Sequence, residues 1–321
     1  RAELLASEFG VRNVTISLVA EVADLYFRLQ DMNARLEISR RTVEGRAERL
    51  GIIQARFDRG IEPEIDVNQA QVQLAVAEAS VTQFQRLTAQ TEHALRVVLG
   101  EFPGRVPLGP RINFGGVPLS VPAGLPSELL KRRPDVQEAE QLLVAETAEI
   151  GVAQALRFPS LSLTSGISVV ATDLTDLNSM DSGQWSLAAG IFQPVFNSGR
   201  LKAQKKAQVA RAKQAEEVYI LTLLEAFREV EDAIVATETF RNEFAARTRQ
   251  VKAAANALRL SQARYDAGVV DYLEVLDSER TFFDAELRHS QAHRSVLTSF
   301  VALYKALGGG WDERVLDDEI E

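Results

Sequence analysis

The 321-residue sequence contains no cysteine, only three histidines and two tryptophans, and no run of 18 or more apolar residues. Each absence excludes something. Without cysteine there is neither a disulfide frame nor a thiolate metal site, a condition that suits an oxidising compartment as well as the cytosol. Without a long apolar run no helix spans a bilayer, although a barrel strand needs only about 9–11 alternating residues. A net charge of −9 and a pI near 5.1 leave no basic excess to neutralise phosphates, which argues against a nucleic-acid partner. The basic cluster "KRRP" at 131–134 does not alter that balance. Nor is there a Gly-rich phosphate loop, a nucleophile elbow or a clustered acid, base and nucleophile, so neither an enzyme nor a cofactor is expected.

What is present is Ala, Leu and Val set among Gln, Glu and Arg, the mixture of long helices packed along narrow seams. One phrase occurs twice. "QARFDRGIEPEID" at 54–66 returns as "QARYDAGVVDYLE" at 262–274, and a shift of 208 aligns residues 18–100 with 226–308 without a gap. Matched identities include Glu21/Glu229, Val43/Val251, Leu50/Leu258, Gly60/Gly268, Val67/Val275 and Gly100/Gly308. An ungapped repeat of this length means that spacing is constrained, as on one face of a rigid rod.

Leu29, Leu36, Val43, Leu50 and Phe57 fall every seven residues, answered by Phe244, Val251, Leu258 and Tyr265 in the second copy. That is a heptad seam. After Gly60 and Gly268 the pattern restarts, with Val67, Leu74 and Val81, then Val275 and Phe282, joined by Ala70, Ala77, Ala285 and Ala292. Glycine supplies the positive φ that closes a helix, and Pro63 can begin the next but not continue the last. Each copy is therefore a helical hairpin whose outgoing arm of about 45 residues runs roughly 65–70 Å. Small seam residues cannot build a thick core, so two arrangements satisfy the periodicity: an isolated antiparallel coiled coil, or a wall of helices closed by other subunits.

Between the hairpins, residues 101–126 are a Pro/Gly-rich connector, and 127–157 form a helix with Ser127 or Asp135 as N-cap. The period then changes. Leu161, Leu163, Ile167 and Val169 alternate with hydroxyl residues, and Trp185, Leu187, Ala189 and Ile191 repeat the pattern, giving a β-hairpin within 158–197. The second helical-hairpin repeat follows at 198–308 and a tail at 309–321. A small, uncharged polar face and the aromatic Trp185 fit a barrel strand at a membrane interface, and a soluble sheet fits as well.

Three segments carry a resemblance: "LKRRPDVQEAEQLLVAETAEIGVAQALRFPSLSLT", "GRLKAQKKAQVARAKQAEE" and "ARYDAGVVDYLEVLDSER". They resemble signature segments of TolC-like outer-membrane efflux proteins, in the branch that serves resistance-nodulation-division pumps of Gram-negative bacteria. The resemblance covers residues 1 to about 310. It implies a mainly α fold with a β-hairpin, in which long antiparallel helical hairpins form an α-barrel in the periplasm and strands contribute to a transmembrane β-barrel. It further implies a homotrimer in the outer membrane, contacting outer-membrane lipid, a periplasmic adaptor (membrane fusion) protein and an inner-membrane transporter. The implied function is a passive exit duct of a tripartite efflux pump, with a soluble coiled-coil scaffold as the alternative. Shifted back by 208, the strand pair would precede residue 1, and "RAELLASE" reads as the inside of a helix, so the resemblance also implies an N-terminally truncated piece.

The resemblance assigns roles at the repeated turns. Asp66, Glu274 and Asp277 lie on the first turns of the returning helices, where acidic side chains also simply suit a helix N-terminus. In the family, the positions matching Glu274 and Asp277 narrow the periplasmic mouth as acidic rings, and the tyrosine matching Tyr265 latches the hairpins, with Asp66 as its expected partner. Arg56, Gly60, Arg264 and Gly268 form the tip that an adaptor would touch; otherwise the arginines are solvated and the glycines are helix caps. His289 and His293, at i and i+4, have a spacing able to hold a divalent metal, but no zinc-protease pattern accompanies them, so they read as a solvated helix face.

Overall fold

The computed structural model describes residues 1–112, 132–169 and 183–309. In chain order these form α1 (Ala2–Phe57), α2 (Glu64–Val98), α3 (Pro134–Ala155), β1 (Ser160–Val169), β2 (Gly183–Phe192), α4 (Arg200–Asp266) and α5 (Tyr272–Ala306). They divide into two compact units, one of residues 1–10 and 135–224, the other of 11–134 and 225–321. No described helix is long and apolar enough to cross a membrane.

In the first unit, β1 and β2 pair antiparallel from Ser160↔Phe192 to Val169↔Gly183. That register sets Leu161 opposite Ile191, Leu163 opposite Ala189 and Ile167 opposite Trp185, so one face is apolar except for Ser165, which stands opposite Leu187. The other opposes Ser162 to Gly190 and Gly166 to Ser186. A Cβ on Gly190 would stand 3.1 Å from the Ser162 hydroxyl, so the small face is already close-packed across the strands. The apolar face is bare: Ile167 is 89% and Trp185 80% exposed. Beside the hairpin, α3 packs on the start of α4, where the buried Gln208 donates to Glu146 at 2.6 Å and is itself met by Arg211 at 3.3 Å. The helix expected over 127–157 is observed from Pro134; Ser127 lies outside the described residues, and Asp135 accepts from the Val136 N–H inside the first turn at 2.9 Å.

The second unit contains the two hairpins, and their turns are closed by one repeated device. Gly60 N–H donates to Phe57 and Ile61 N–H to Arg56, at 2.8 and 3.0 Å. Gly268 and Val269 donate to Tyr265 and Arg264, both at 2.9 Å. This pair of bonds is the Schellman closure, which needs a left-handed residue, and the two glycines have φ of 73° and 70°. The far ends of α2 and α5 repeat it at Gly100 and Gly308, both at φ 73°. The returning helices consequently have equal lengths of 35 residues.

The seam is as the heptads require. Ala70, Ala77, Ala285 and Ala292 are buried together with Leu29, Leu36, Val67 and Val275. Near the turns Ile53, Val67, Ala70, Tyr265, Tyr272, Val275 and Leu276 make one cluster drawn from all four helices. Phe57 departs from the pattern: it is 37% exposed whereas its counterpart Tyr265 is 6% exposed. The connector contributes too, since Gly109 N–H donates to the Tyr26 hydroxyl at 3.1 Å and Gln30 donates to the Pro110 carbonyl at 3.3 Å.

The glycines give a paired test. Gly51 lies within α1 with open space where a methyl group would stand, so Gly51→Ala should raise stability by about 0.5–1 kcal/mol. Gly268→Ala, at φ 70°, should lower it by about 1–2 kcal/mol. Denaturant unfolding followed by helical circular dichroism checks both signs.

Candidate functional site

The two turns bring their side chains together. Tyr265, near the end of α4, is buried between Arg56, whose guanidinium lies 5.0 Å over its ring, and Tyr272, whose ring is 5.6 Å away. Its hydroxyl donates to Glu62 Oε1 at 2.7 Å. The partner is thus Glu62 in the α1–α2 turn, in place of the expected Asp66. The reason is reach: Glu62 precedes Pro63, the extended residue that begins α2, and so its side chain lies in the turn that faces Tyr265. Asp66 sits on the first helical turn, where its backbone N–H donates to the Pro63 carbonyl at 3.1 Å.

Charges around this junction are uneven. Arg56 approaches Glu62 at 3.5 Å and Asp266 at 3.9 Å. Burial, the bond to Glu62 and the charges of Glu62 and Asp271 all push the Asp66 carboxyl above its ordinary range. Burial and Glu62 push the Tyr265 phenol up to about 12, so it remains a donor at any physiological pH.

Glu274 and Asp277 lie apart from that junction. Glu274 is held by Arg264 at 2.8 Å and Asp277 by Arg280 at 2.6 Å, all four side chains being well exposed. They line an open cleft of about 930 Å³ between the starts of α2 and α5, walled on the other side by Ile65, Asn68 and Val72. The arginine of the second tip therefore serves an acidic residue of the returning helix, and the arginine of the first serves the tyrosine junction. Gly60 and Gly268 are exposed at the turns with no atom within 4 Å of an added Cβ.

Deeper along the hairpins lies a charged band that the heptad pattern does not reveal. Arg49 pairs with Glu279 at 2.7 Å and Arg41 with Glu286 at 2.6 Å. Arg46, buried, donates to the Gln73 carbonyl at 2.6 Å and lies 5.2 Å over the Phe283 ring. Beyond them the carboxylate of Asp31, also buried, is met by Arg35 at 3.0 Å and by the Ser290 hydroxyl at 2.7 Å. His289 and His293 belong to this region and are half-buried, contrary to the solvated face expected of them. Both rings pack on Phe244, at 4.8 and 5.7 Å, and His289 meets the Thr248 hydroxyl at 3.1 Å. An apolar ring on α4 faces them, which heptad spacing within α5 could not show. Burial, with Arg111 and His289 nearby, lowers His293 to about 4.

Comparison with known proteins places this architecture. The profile of the outer membrane efflux protein family matches residues 1–101 and 125–309. The chain belongs to that family. Among its relatives TtgC of Pseudomonas putida, a probable efflux pump outer membrane protein, is 38% identical over 318 residues, covering 97% of this chain and 64% of TtgC. CusC of Escherichia coli O6:H1, a cation efflux system protein, is 34% identical over 314 residues, covering 98% of this chain and 68% of CusC. The solved structure of the outer-membrane channel OprN aligns with a TM-score of 0.87 at 32% identity, over 97% of this chain and 70% of OprN. The chain thus spans less than two thirds of the length of TtgC. The TolC-like fold class read from the three signature segments stands, with long helical hairpins and a strand pair in one chain.

Two measurements follow from this geometry. Tyr265→Phe should cost about 1.5–3 kcal/mol, because a buried hydrogen bond to a charged acceptor is lost, and a double-mutant cycle with Glu62→Gln should show most of that as coupling. His293 titrates at about 4 when folded, below its ordinary value near 6.5, so its contribution to stability is present above that value and is lost as pH falls through it toward 4. Thermal midpoints should therefore drop across that window in the unsubstituted chain, and less steeply in His293→Gln.

Proposed function

We propose that this chain is part of the passive exit duct of a tripartite efflux pump, located in the outer membrane of a Gram-negative bacterium with its helical hairpins in the periplasm. The observation that carries the reading is the pairing of two features in one family member. One is a β-hairpin whose apolar face is bare from Leu161 to Ile191; the other is a pair of helical tips joined by the Tyr265–Glu62 bond. A strand pair of this kind is marginal alone and becomes stable in a closed barrel, where lipid covers the apolar face.

On this reading residues 1–100 and 198–308 build the periplasmic tunnel, 158–197 enter the barrel, 101–126 connect, and α3 leads to the strands. Three copies close the wall, outer-membrane lipid meets Trp185, and an adaptor protein meets Arg56, Gly60, Arg264 and Gly268 on its way to an inner-membrane transporter. The gate consists of Asp66, Tyr265, Glu274 and Asp277, to which Glu62 is added. Three acidic pairs around a narrow mouth would admit cations and repel anions. No bond is made or broken in such a duct, so no residue is assigned a catalytic role.

Planar-bilayer recording of the full-length protein tests the gate. Tyr265→Phe should raise conductance severalfold by releasing the junction, and Arg264→Ala should add to it by freeing Glu274. Conductance unchanged in both variants would count against the latch, and recovery of the full-length protein as a soluble monomer would count against the duct.

A further inference from the structure

The two hairpins of the second unit are equivalent by the repeat, yet they do not meet symmetrically. Along their length α1 of the first faces α5 of the second: Arg41 pairs with Glu286 at 2.6 Å, Arg49 pairs with Glu279 at 2.7 Å, and the Asp31 carboxylate accepts from the Ser290 hydroxyl at 2.7 Å. Moving each α1 residue forward by 208 and each α5 residue back by 208 turns these contacts into three pairs between α4 and α2. They are Arg249 with Glu78, Ala257 with Gln71, and Thr239 with Thr82.

If a twofold axis related the hairpins, these pairs would close inside the same chain as the first three do. All six residues are instead exposed. The face of α5 that receives α1 is covered, with the Glu286 and Glu279 side chains 15% and 11% exposed and Ser290 buried; the same face of α2 is bare. The relation between the hairpins therefore runs one way, and a one-way relation between equivalent elements is completed by continuing into another copy.

The chemistry of the bare pairs is matched. Arg249 and Glu78 keep the opposite charges of Arg41 and Glu286. Where α4 gives up a charge, α2 brings none: Arg49 becomes Ala257 as Glu279 becomes Gln71, and Asp31 becomes Thr239 opposite the hydroxyl of Thr82. Neither face would bury an unpaired charge against the other.

We infer that α4 of one copy seats on α2 of the next through these residues, in the alignment that α1 and α5 already show within the chain, with Arg249 and the next copy's Glu78 as its ion pair. The occupant is a second copy of this chain, because the face to be matched is one that the chain itself carries. The inference rests on the trimeric duct proposed above and locates the seam between its subunits: three such seams alternate with three internal ones and close a ring of six hairpins.

Crosslinking of the full-length protein tests the seam, and residues 1–321 hold no cysteine to compete with introduced thiols. A short bismaleimide is calibrated on Arg41→Cys combined with Glu286→Cys, where it should bridge the two thiols within one chain and leave a monomer on a denaturing gel. With Arg249→Cys and Glu78→Cys together it should give covalent dimers and trimers, and neither single variant should do so. Only monomer from that combination, in protein that sediments as a trimer, would overturn the seam and leave the duct standing; protein that sediments as a monomer before crosslinking would overturn both. In whole cells, attachment of the adaptor to Glu78→Cys in place of a second copy would also overturn the seam. Charge reversal supplies a second readout. Arg249→Glu or Glu78→Arg alone should increase dissociation of the trimer severalfold on dilution at low salt, the two together should restore it, and the difference should shrink in high salt. A double reversal that rescues nothing would overturn the ion pair.

Discussion

The structure depends on four helix ends falling level. Gly60 and Gly268 close the outgoing arms, Gly100 and Gly308 close the returning ones, and all four do so with the same two backbone bonds and a φ near 70°. Levelness matters because the seam is made of small residues. Ala77 and Ala285 are wholly buried, and an alanine is buried only where the opposing backbone comes close. A single inserted residue would rotate everything beyond it by about 100° and turn those alanines outward. That is why the repeat tolerates no gap between residues 18 and 100: the equal lengths of the returning helices are what allow the two tips to meet at all.

On this symmetric frame the chemistry comes from departures from symmetry. The position that is Phe57 in the first copy is Tyr265 in the second, and the position that is Glu62 in the first is Val270 in the second. Each copy thus gives up a polar group where the other gains one, and the two survivors make the 2.7 Å bond. The acidic pair diverges likewise. Asp66 and Glu274 are equivalent in the repeat, yet burial and Glu62 raise the titration of the first, whereas the second is held at the surface by Arg264. Two identical tips could pack together, but they could not latch with a donor on one side and an acceptor on the other.

This division also explains what is legible in the sequence. Heptads, turn glycines and strand alternation are local signals, and each names its element correctly, including the apolar strand face that ends in Trp185. The same signals bring Tyr265 and Asp66 to one turn region, but the phenol's true acceptor depends on how the α1–α2 turn faces α4, which spacing within either segment does not encode. A signal exists nonetheless: Glu62 stands where the repeat has Val270, and a charge replacing an apolar residue at a matched site marks a place where the copies do different work. His289 carries a comparable mark, standing where the repeat has the seam residue Val81, whereas His293 matches Gln85 and carries none. Their partner, Phe244, reads in the heptads only as a seam residue.

A seam of Ala and Leu repeating every seven residues has a weakness, since sliding by one heptad restores nearly the same apolar contacts. The buried Asp31 removes that freedom. Its carboxylate is met by Arg35 from its own helix, by the Ser290 hydroxyl at 2.7 Å from α5 and, at 3.8 Å, by Arg294. A slip of one heptad, about 10 Å along the rods, would leave a buried charge against apolar side chains. Such a buried ionic node adds little net stability compared with an apolar packing of equal volume, but it specifies one register among several. The tip then inherits that register, because a hydrogen bond between Tyr265 and Glu62 forms at one alignment of the rods and at no neighbouring one.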